Sequence, residues 1–171
     1  AYDNEHIFKK RTIIDKLDMC LVLMLDSSSS IKNDQWDLII KTAASFVQAL
    51  DNRPDVELMV VSYTDDRRYL SDSYNNYIMR HYDKKLGKMH IKREHVGSTP
   101  SAMAFAAIRE SIFKRMHITK RDKIIIHLTD GMPNETEATK KQVELNKQAH
   151  IETFCVLVSD EATWRLYSRL S

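Results

Sequence analysis

The sequence predicts an α/β fold built on an open, mostly parallel sheet with helices on both faces, and two observations carry that prediction. Four apolar runs, "MCLVLML", "ELMVVSY", "KIIIHL" and "ETFCVLV", are continuous rather than alternating, which is the pattern of strands buried on both faces. Helical patterns alternate with them, and three glycines and three prolines leave few interruptions in a chain of 171 residues.

The first run closes on Asp26. "NDQWDLIIKTAASFVQALD" then places Trp36, Ile39, Ile40, Ala43, Val47 and Leu50 at helical spacing behind an Asn or Asp cap. The second run ends at "YTDD", where Asp65 or Asp66 could stand behind a site at the strand end or simply be solvated. From Asp65 to Ser98 apolar runs are few, and a short edge strand near "RRYLS" within a family-specific insertion around 66–98 is expected. "TPSAMAFAAIRESIFKRM" predicts a helix with Thr99 as N-cap, Pro100 at its first position, and Phe105, Ile108, Ile112 and Met116 along one face. "ETEATKKQVELNKQA" is a charged, weakly amphipathic helix between the third and fourth runs, and Trp164, Tyr167 and Leu170 form one stripe of a closing helix.

Length and 43% hydrophobic content fit one domain over 1–171 with a core of its own. The opening "AYDN" and an end inside a helical pattern suggest a piece of a longer protein. A net charge of +2 gives no bulk attraction to nucleic acid or anionic membrane, and no apolar stretch approaches the ~18 residues of a membrane span. Cys20 and Cys155 both lie in apolar runs, where a thiol acts as a small hydrophobe; a reducing, cytoplasmic setting is the simpler expectation.

In an open α/β sheet, ligands gather outside the carboxyl ends of the strands. "DSSSS", Asp26 to Ser30, stands at one such end, and Asp130 in "LTDG" stands at another. If the two strands are neighbours their carboxylates converge, and they repel unless a cation or a shared proton intervenes. Ser28 and Ser30 alternate with Ser27 and Ser29, so one pair of hydroxyls can face the same point, and Thr99 can bring a third from another loop. Hydroxyls and carboxylates without Cys or His suit a hard cation, Mg²⁺ ahead of zinc, with water completing the shell and a position left open. Each piece has a plainer reading: a serine run is commonly a polar loop, Thr99 a helix cap, Asp130 a turn residue. It is their conjunction that points to a metal site.

Asp26-x-Ser28-x-Ser30, then Thr99, then Asp130 in "LTDG" resembles the metal-ion-dependent adhesion site of von Willebrand factor A domains. The resemblance covers nearly the whole chain. It implies a Rossmann-like sheet and a Mg²⁺ site, with Mn²⁺ or Ca²⁺ as substitutes, at which an Asp or Glu of a protein partner completes the coordination. "HIFKKRTIIDKLDMCLVLMLDSSSS" and "LTDGMPNE" look most like the cytoplasmic branch, the A domains of cobalt- and magnesium-chelatase subunits and of proteins paired with MoxR-type AAA+ ATPases. An AAA+ partner in the same complex and a non-catalytic role follow from that likeness. An extracellular adhesion or matrix-binding A domain is the alternative, and a metal-dependent phosphotransferase a third. The family commonly has glycine where this chain has Ser29 and methionine where it has Ile31.

Other chemistries fit less well. His90, Glu94 and His95 in "HIKREH" miss the spacing of a helical zinc motif, and His127 inside an apolar run reads as a hydrogen-bonded core residue. The sequence has neither a G-x-S-x-G elbow nor a Gly-rich phosphate loop. Arg67, Arg68, Arg80, Lys84, Lys85, Lys88, Lys92 and Arg93, interleaved with tyrosines, form a basic stretch that reads first as a solvated face, then as a docking surface for an acidic protein; nucleic acid is not favoured.

Overall fold

The computed structural model describes residues 17–64, 99–114, 119–131, 133 and 135–158, together with the main chain of 78–83. The strand expected near "RRYLS", Asp65 and Asp66, "HIKREH", most of the basic stretch, Met116 and the closing helix with Trp164, Tyr167 and Leu170 lie outside the described residues.

Five strands are described: β1 (Met19–Asp26), β2 (Val56–Tyr63), β3 (Ile78–Asp83), β4 (Asp122–Thr129) and β5 (Ile151–Leu157). They form one sheet in the order β3-β2-β1-β4-β5. β1 pairs in parallel with both β2 and β4, and β4 with β5, while β3 runs antiparallel along the edge of β2. From β1 the chain therefore moves outward to β2 on one side and later to β4 and β5 on the other. That reversal makes the gap between the carboxyl ends of β1 and β4 the switch point of the sheet, where loops part and a ligand can enter.

Strand periodicity divides the core into two layers. On one face Leu21, Leu23, Leu25, Leu58 and Val60 pack with Trp36, Ile39 and Ala43 of α1 (Asn33–Leu50). On the other, Cys20, Val22, Met24, Met59, Val61, Tyr63 and Ile125 pack with Ala104, Phe105 and Ile108 of α2 (Ser101–Ile108). Ile112 and Phe113 join the second layer from a π-helical turn, Arg109–Lys114, that continues α2. α3 (Thr136–Gln148) packs against α2 and β5, joined to the first by the Arg109 guanidinium, which donates to Asn146 Oδ1 at 2.9 Å and Gln142 Oε1 at 2.8 Å.

Several expectations are corrected in detail. The helix from Thr99 is not one α-helix with a single apolar stripe: α2 is buried almost all round, packed against both the sheet and α3, and widens into the π-turn at Arg109. Pro100 rather than Thr99 is its N-cap. α1 starts at Asn33 with Lys32 at the cap position, and Gln35 Oε1 accepts from the Lys32 N–H at 2.8 Å. β5, expected to be buried on both faces, exposes Phe154 by 51% and Val156 by 44%, because it is the edge strand of the described sheet. Its Cys155 is exposed as well, whereas Cys20 on the central strand is buried, as expected. Burial pushes the Cys20 thiol up to about 12. Among the described residues no helix is long and apolar enough to cross a membrane.

Candidate metal centre

Parallel register builds the site. Leu25 lies opposite Leu128, so β1 and β4 end level, and Asp26 and Thr129 close the two strands side by side. The side chains at those ends turn from hydrocarbon to oxygen within one residue.

Asp26 is fully buried. Its Oδ1 accepts the Ser28 main-chain N–H at 2.9 Å, and its Oδ2 accepts the Thr129 hydroxyl at 2.6 Å. Two donors to one carboxylate fix its orientation and offset part of its desolvation. The serines then divide by parity. Ser27 turns inward and donates to the Tyr63 carbonyl at 2.9 Å, pinning the loop to the end of β2. Ser28 and Ser30 share a hydrogen bond of 3.0 Å, and Ser30 Oγ donates to Asp130 Oδ1 at 3.3 Å. Four of the five candidate residues, Asp26, Ser28, Ser30 and Asp130, are thus joined in one oxygen cluster across the switch point.

Thr99 comes from the other side. It is buried, two residues before Ser101, whose hydroxyl lies 3.0 Å from the Tyr63 hydroxyl. Tyr63 is the register partner of Asp26. The start of α2 is therefore anchored beside the cluster, and no direct hydrogen bond between Thr99 and the other four is described. Pro100 occupies the N-cap position, so Thr99 stands one residue ahead of it in the loop that leads into α2.

Electrostatics at the cluster point the same way. Burial and, second, the negative charge of Asp26 push the Asp130 carboxyl above its ordinary 3.8, with the Ser30 hydrogen bond pulling back. A carboxylate held near another against its preference is stabilised by any cation between them. Among the described residues no group of three His, Cys, Asp or Glu could hold a metal; the candidate set combines two carboxylates with hydroxyls, a donor set that suits a hard divalent ion. Ser29 needs no glycine-like backbone: among the described residues, His150 is the one non-glycine with positive φ.

Two residues that matter here were not singled out from sequence. Thr129, inside the quoted "LTDG", orients Asp26; a hydroxyl beside a buried carboxylate in the neighbouring strand was the available signal. Tyr63 lies at the end of β2 under the serine loop, with its hydroxyl 2.7 Å from His127 Nε2. His127 is the hydrogen-bonded core residue expected, buried against the edge of Phe105 with ring centroids 5.4 Å apart. Burial alone drops it to about 3, so it is neutral at physiological pH.

Comparison with known proteins agrees with this architecture. The family model for the von Willebrand factor type A domain matches residues 21–170. No curated protein sequence matches the chain. Among solved structures, proximal thread matrix protein 1 from the mussel byssus, with a zinc-occupied MIDAS motif, is 18% identical with a TM-score of 0.58 over 82% of this chain and 35% of its own. Manganese-loaded TRAP protein of Plasmodium vivax is 16% identical with a TM-score of 0.60, covering 91% of this chain and 62% of that one. The SpRpn10 VWA domain is 11% identical with a TM-score of 0.57, covering 90% and 95%. The chain thus spans about a third of the length of the mussel protein and nearly all of the isolated SpRpn10 domain. At these identities the likeness is one of fold. The family match over residues 21–170, together with that fold, means that the chain belongs to the von Willebrand factor type A domain family.

Proposed function

We propose that the domain is a divalent-cation-dependent protein-interaction module in which Asp26, Ser28, Ser30, Thr99 and Asp130 hold Mg²⁺, with Mn²⁺ or Ca²⁺ able to substitute. The observation that carries this reading is the oxygen cluster at the β1/β4 switch point, where Ser30 bridges Ser28 to Asp130 beside the buried Asp26. When bound, the ion supplies a positive charge that an Asp or Glu of a partner can reach. The chain's own residues do the arranging: Thr129 and the Ser28 N–H hold the Asp26 carboxylate, Ser27 ties the loop to β2, and Ser30 sits exposed at the mouth. A set dominated by neutral hydroxyls leaves much of the ion's charge for the partner. The role is binding rather than catalysis; His127, the one core histidine among the described residues, is neutral and engaged with Tyr63.

The finer reading is a chelatase-like complex in the cytoplasm with an AAA+ ATPase as partner. Its support is the likeness of the segments around "LDSSSS" and "LTDGMPNE" to that branch. The second reading, adhesion outside the cell, gains from two observations. Structural relatives include a mussel byssus matrix protein and the pilus adhesin SpaC of Lactobacillus rhamnosus GG, with a TM-score of 0.56 at 14% identity. Cys155 is exposed, which removes half of the case for two buried thiols.

Calorimetric titration of the folded domain with Mg²⁺ and Mn²⁺ tests the site. Saturable binding that is lost in Asp26→Ala supports it, and equal affinity in the variant refutes it. The partner is tested with the full-length protein: an AAA+ ATPase that binds it in Mg²⁺ and is released both by EDTA and by Asp26→Ala supports the chelatase-like reading. Metal-dependent binding to an extracellular matrix protein instead favours adhesion. A partner insensitive to EDTA but displaced by salt would move the binding surface to the basic stretch of residues 84–93.

A further inference from the structure

The proposed cation site leaves a buried polar group beneath it without an assigned task. Tyr63, His127 and Ser101 are 1%, 5% and 1% exposed, and they come from β2, β4 and α2. The Tyr63 hydroxyl lies 2.7 Å from His127 Nε2 and 3.0 Å from Ser101 Oγ. Phe105, four residues after Ser101 and so on the same face of α2, packs its edge against the His127 ring. The first turn of α2 is therefore held twice on one Tyr63–His127 pair. A polar trio in an otherwise apolar layer is costly unless its members are hydrogen-bonded, and once satisfied it fixes the position of the elements that carry it. The position it specifies is that of the residues just before the helix. Pro100 has its φ fixed by its ring, and the Thr99 carbonyl accepts the Ser101 N–H at 2.9 Å, so Thr99 follows Ser101 with little freedom. At the other end of the same residue, the Tyr63 carbonyl accepts the Ser27 hydroxyl from the serine loop.

We propose that Tyr63 is a positioning residue that locks the Thr99 hydroxyl to the β1/β4 switch point, through Ser101 on one side and the serine loop on the other. The cation half of this inference rests on the metal-site reading above; the lock itself does not. One residue thereby ties together two loops that share no hydrogen bond of their own among the described residues. The Tyr63 hydroxyl meets Ser101 and His127 and also interacts with the Asp26 carboxyl, so Tyr63 borders the oxygen cluster while it holds the start of α2.

The test uses Tyr63→Phe, which keeps the ring, and Ser101→Ala, which removes the helix side of the lock and carries the test alone if Tyr63→Phe does not fold. Hydrogen exchange of the metal-free protein should show the amides of residues 101–104 exchanging about tenfold faster in both variants, the loss expected from one hydrogen bond, while Ser101→Thr stays at the parent rate. Unchanged exchange overturns the lock, whatever the metal does. In Mn²⁺ calorimetry Tyr63→Phe should bind about tenfold more weakly, and combining it with Thr99→Ala should add nothing to the loss from Thr99→Ala alone. Additive losses would overturn action through Thr99. Asp26→Ala separates the two ideas. If it binds Mn²⁺ like the parent, the metal-site reading and the cation half of this inference fall together, and exchange still decides whether Tyr63 holds the start of α2.

Discussion

Thr129→Val isolates the short hydrogen bond that orients Asp26. Thr129 is 1% exposed at the end of β4, and its hydroxyl meets Asp26 Oδ2 at 2.6 Å. Valine has nearly the same shape and suits a strand, so the substitution removes a donor without opening a cavity. The same hydroxyl also accepts the Gly131 N–H, but at 3.3 Å, a long contact that adds little. What remains is a fully buried carboxylate with the Ser28 N–H as its described hydrogen-bond donor. Losing a hydrogen bond to a charged group costs about 1.5–3 kcal/mol. At about 2–4 °C per kcal/mol for a domain of this size, the melting temperature in EDTA should fall by about 3–12 °C. The loss should also appear as weaker Mn²⁺ binding, because the carboxylate would have to be reoriented for the ion. Thermal melts followed by circular dichroism, in EDTA and in Mn²⁺, provide the assay. A variant that melts within about 1 °C of the parent in EDTA would refute the claim that this bond holds Asp26.

Three other outcomes are expected. Asp130→Asn should stabilise the metal-free protein near neutral pH: a carboxyl raised in the folded state favours folding when protonated and loses that advantage as pH rises through its folded value. The gain over the parent should shrink as pH falls to the ordinary 3.8, in urea titrations across that range, and a variant less stable than the parent at neutral pH would contradict the repulsion. His127 has the opposite sign. It takes a proton at 6.5 when unfolded but only at about 3 when folded, so stability should fall with falling pH between those values by roughly 1.4 kcal/mol per unit. Acid titration of His127→Gln against the parent reads that slope difference, and equal slopes would count against it. Finally, a maleimide at pH 7 should modify Cys155 and spare Cys20 in the native state, as peptide mass mapping would show, because Cys155 is exposed whereas Cys20 is buried with its thiol pushed up to about 12; partial desolvation and, second, the Asp26 charge also raise Cys155 and slow its reaction.

The chain's apolar runs and the oxygen-bearing residues at their ends determine a good deal by themselves. Continuous apolar runs point to strands of a parallel sheet, and all four such runs are strands of one parallel set. The parity of Ser27 to Ser30 foretells which hydroxyls share a direction, because it follows from local geometry: Ser28 meets Ser30 while Ser27 turns away. What sequence leaves open is strand order, and the site depends on it. Asp26 and Asp130 approach only because β1 and β4 are adjacent, a result of packing helices on both faces of the whole sheet rather than of either strand's composition. Edge position is equally invisible: "ETFCVLV" reads like the central runs, yet β5 exposes Phe154 and Cys155. The hydrogen bonds that orient the candidate ligands cross between elements 103 residues apart for Thr129 and Asp26, and 38 apart for Tyr63 and Ser101. No local pattern encodes such contacts, because a hydroxyl in a strand or at a helix start has the same propensity whatever stands opposite. Only the folded sheet, by fixing the register of β1 on β2 and β4, decides that Thr129 faces a buried carboxylate and that Tyr63 lies between the serine loop and Thr99.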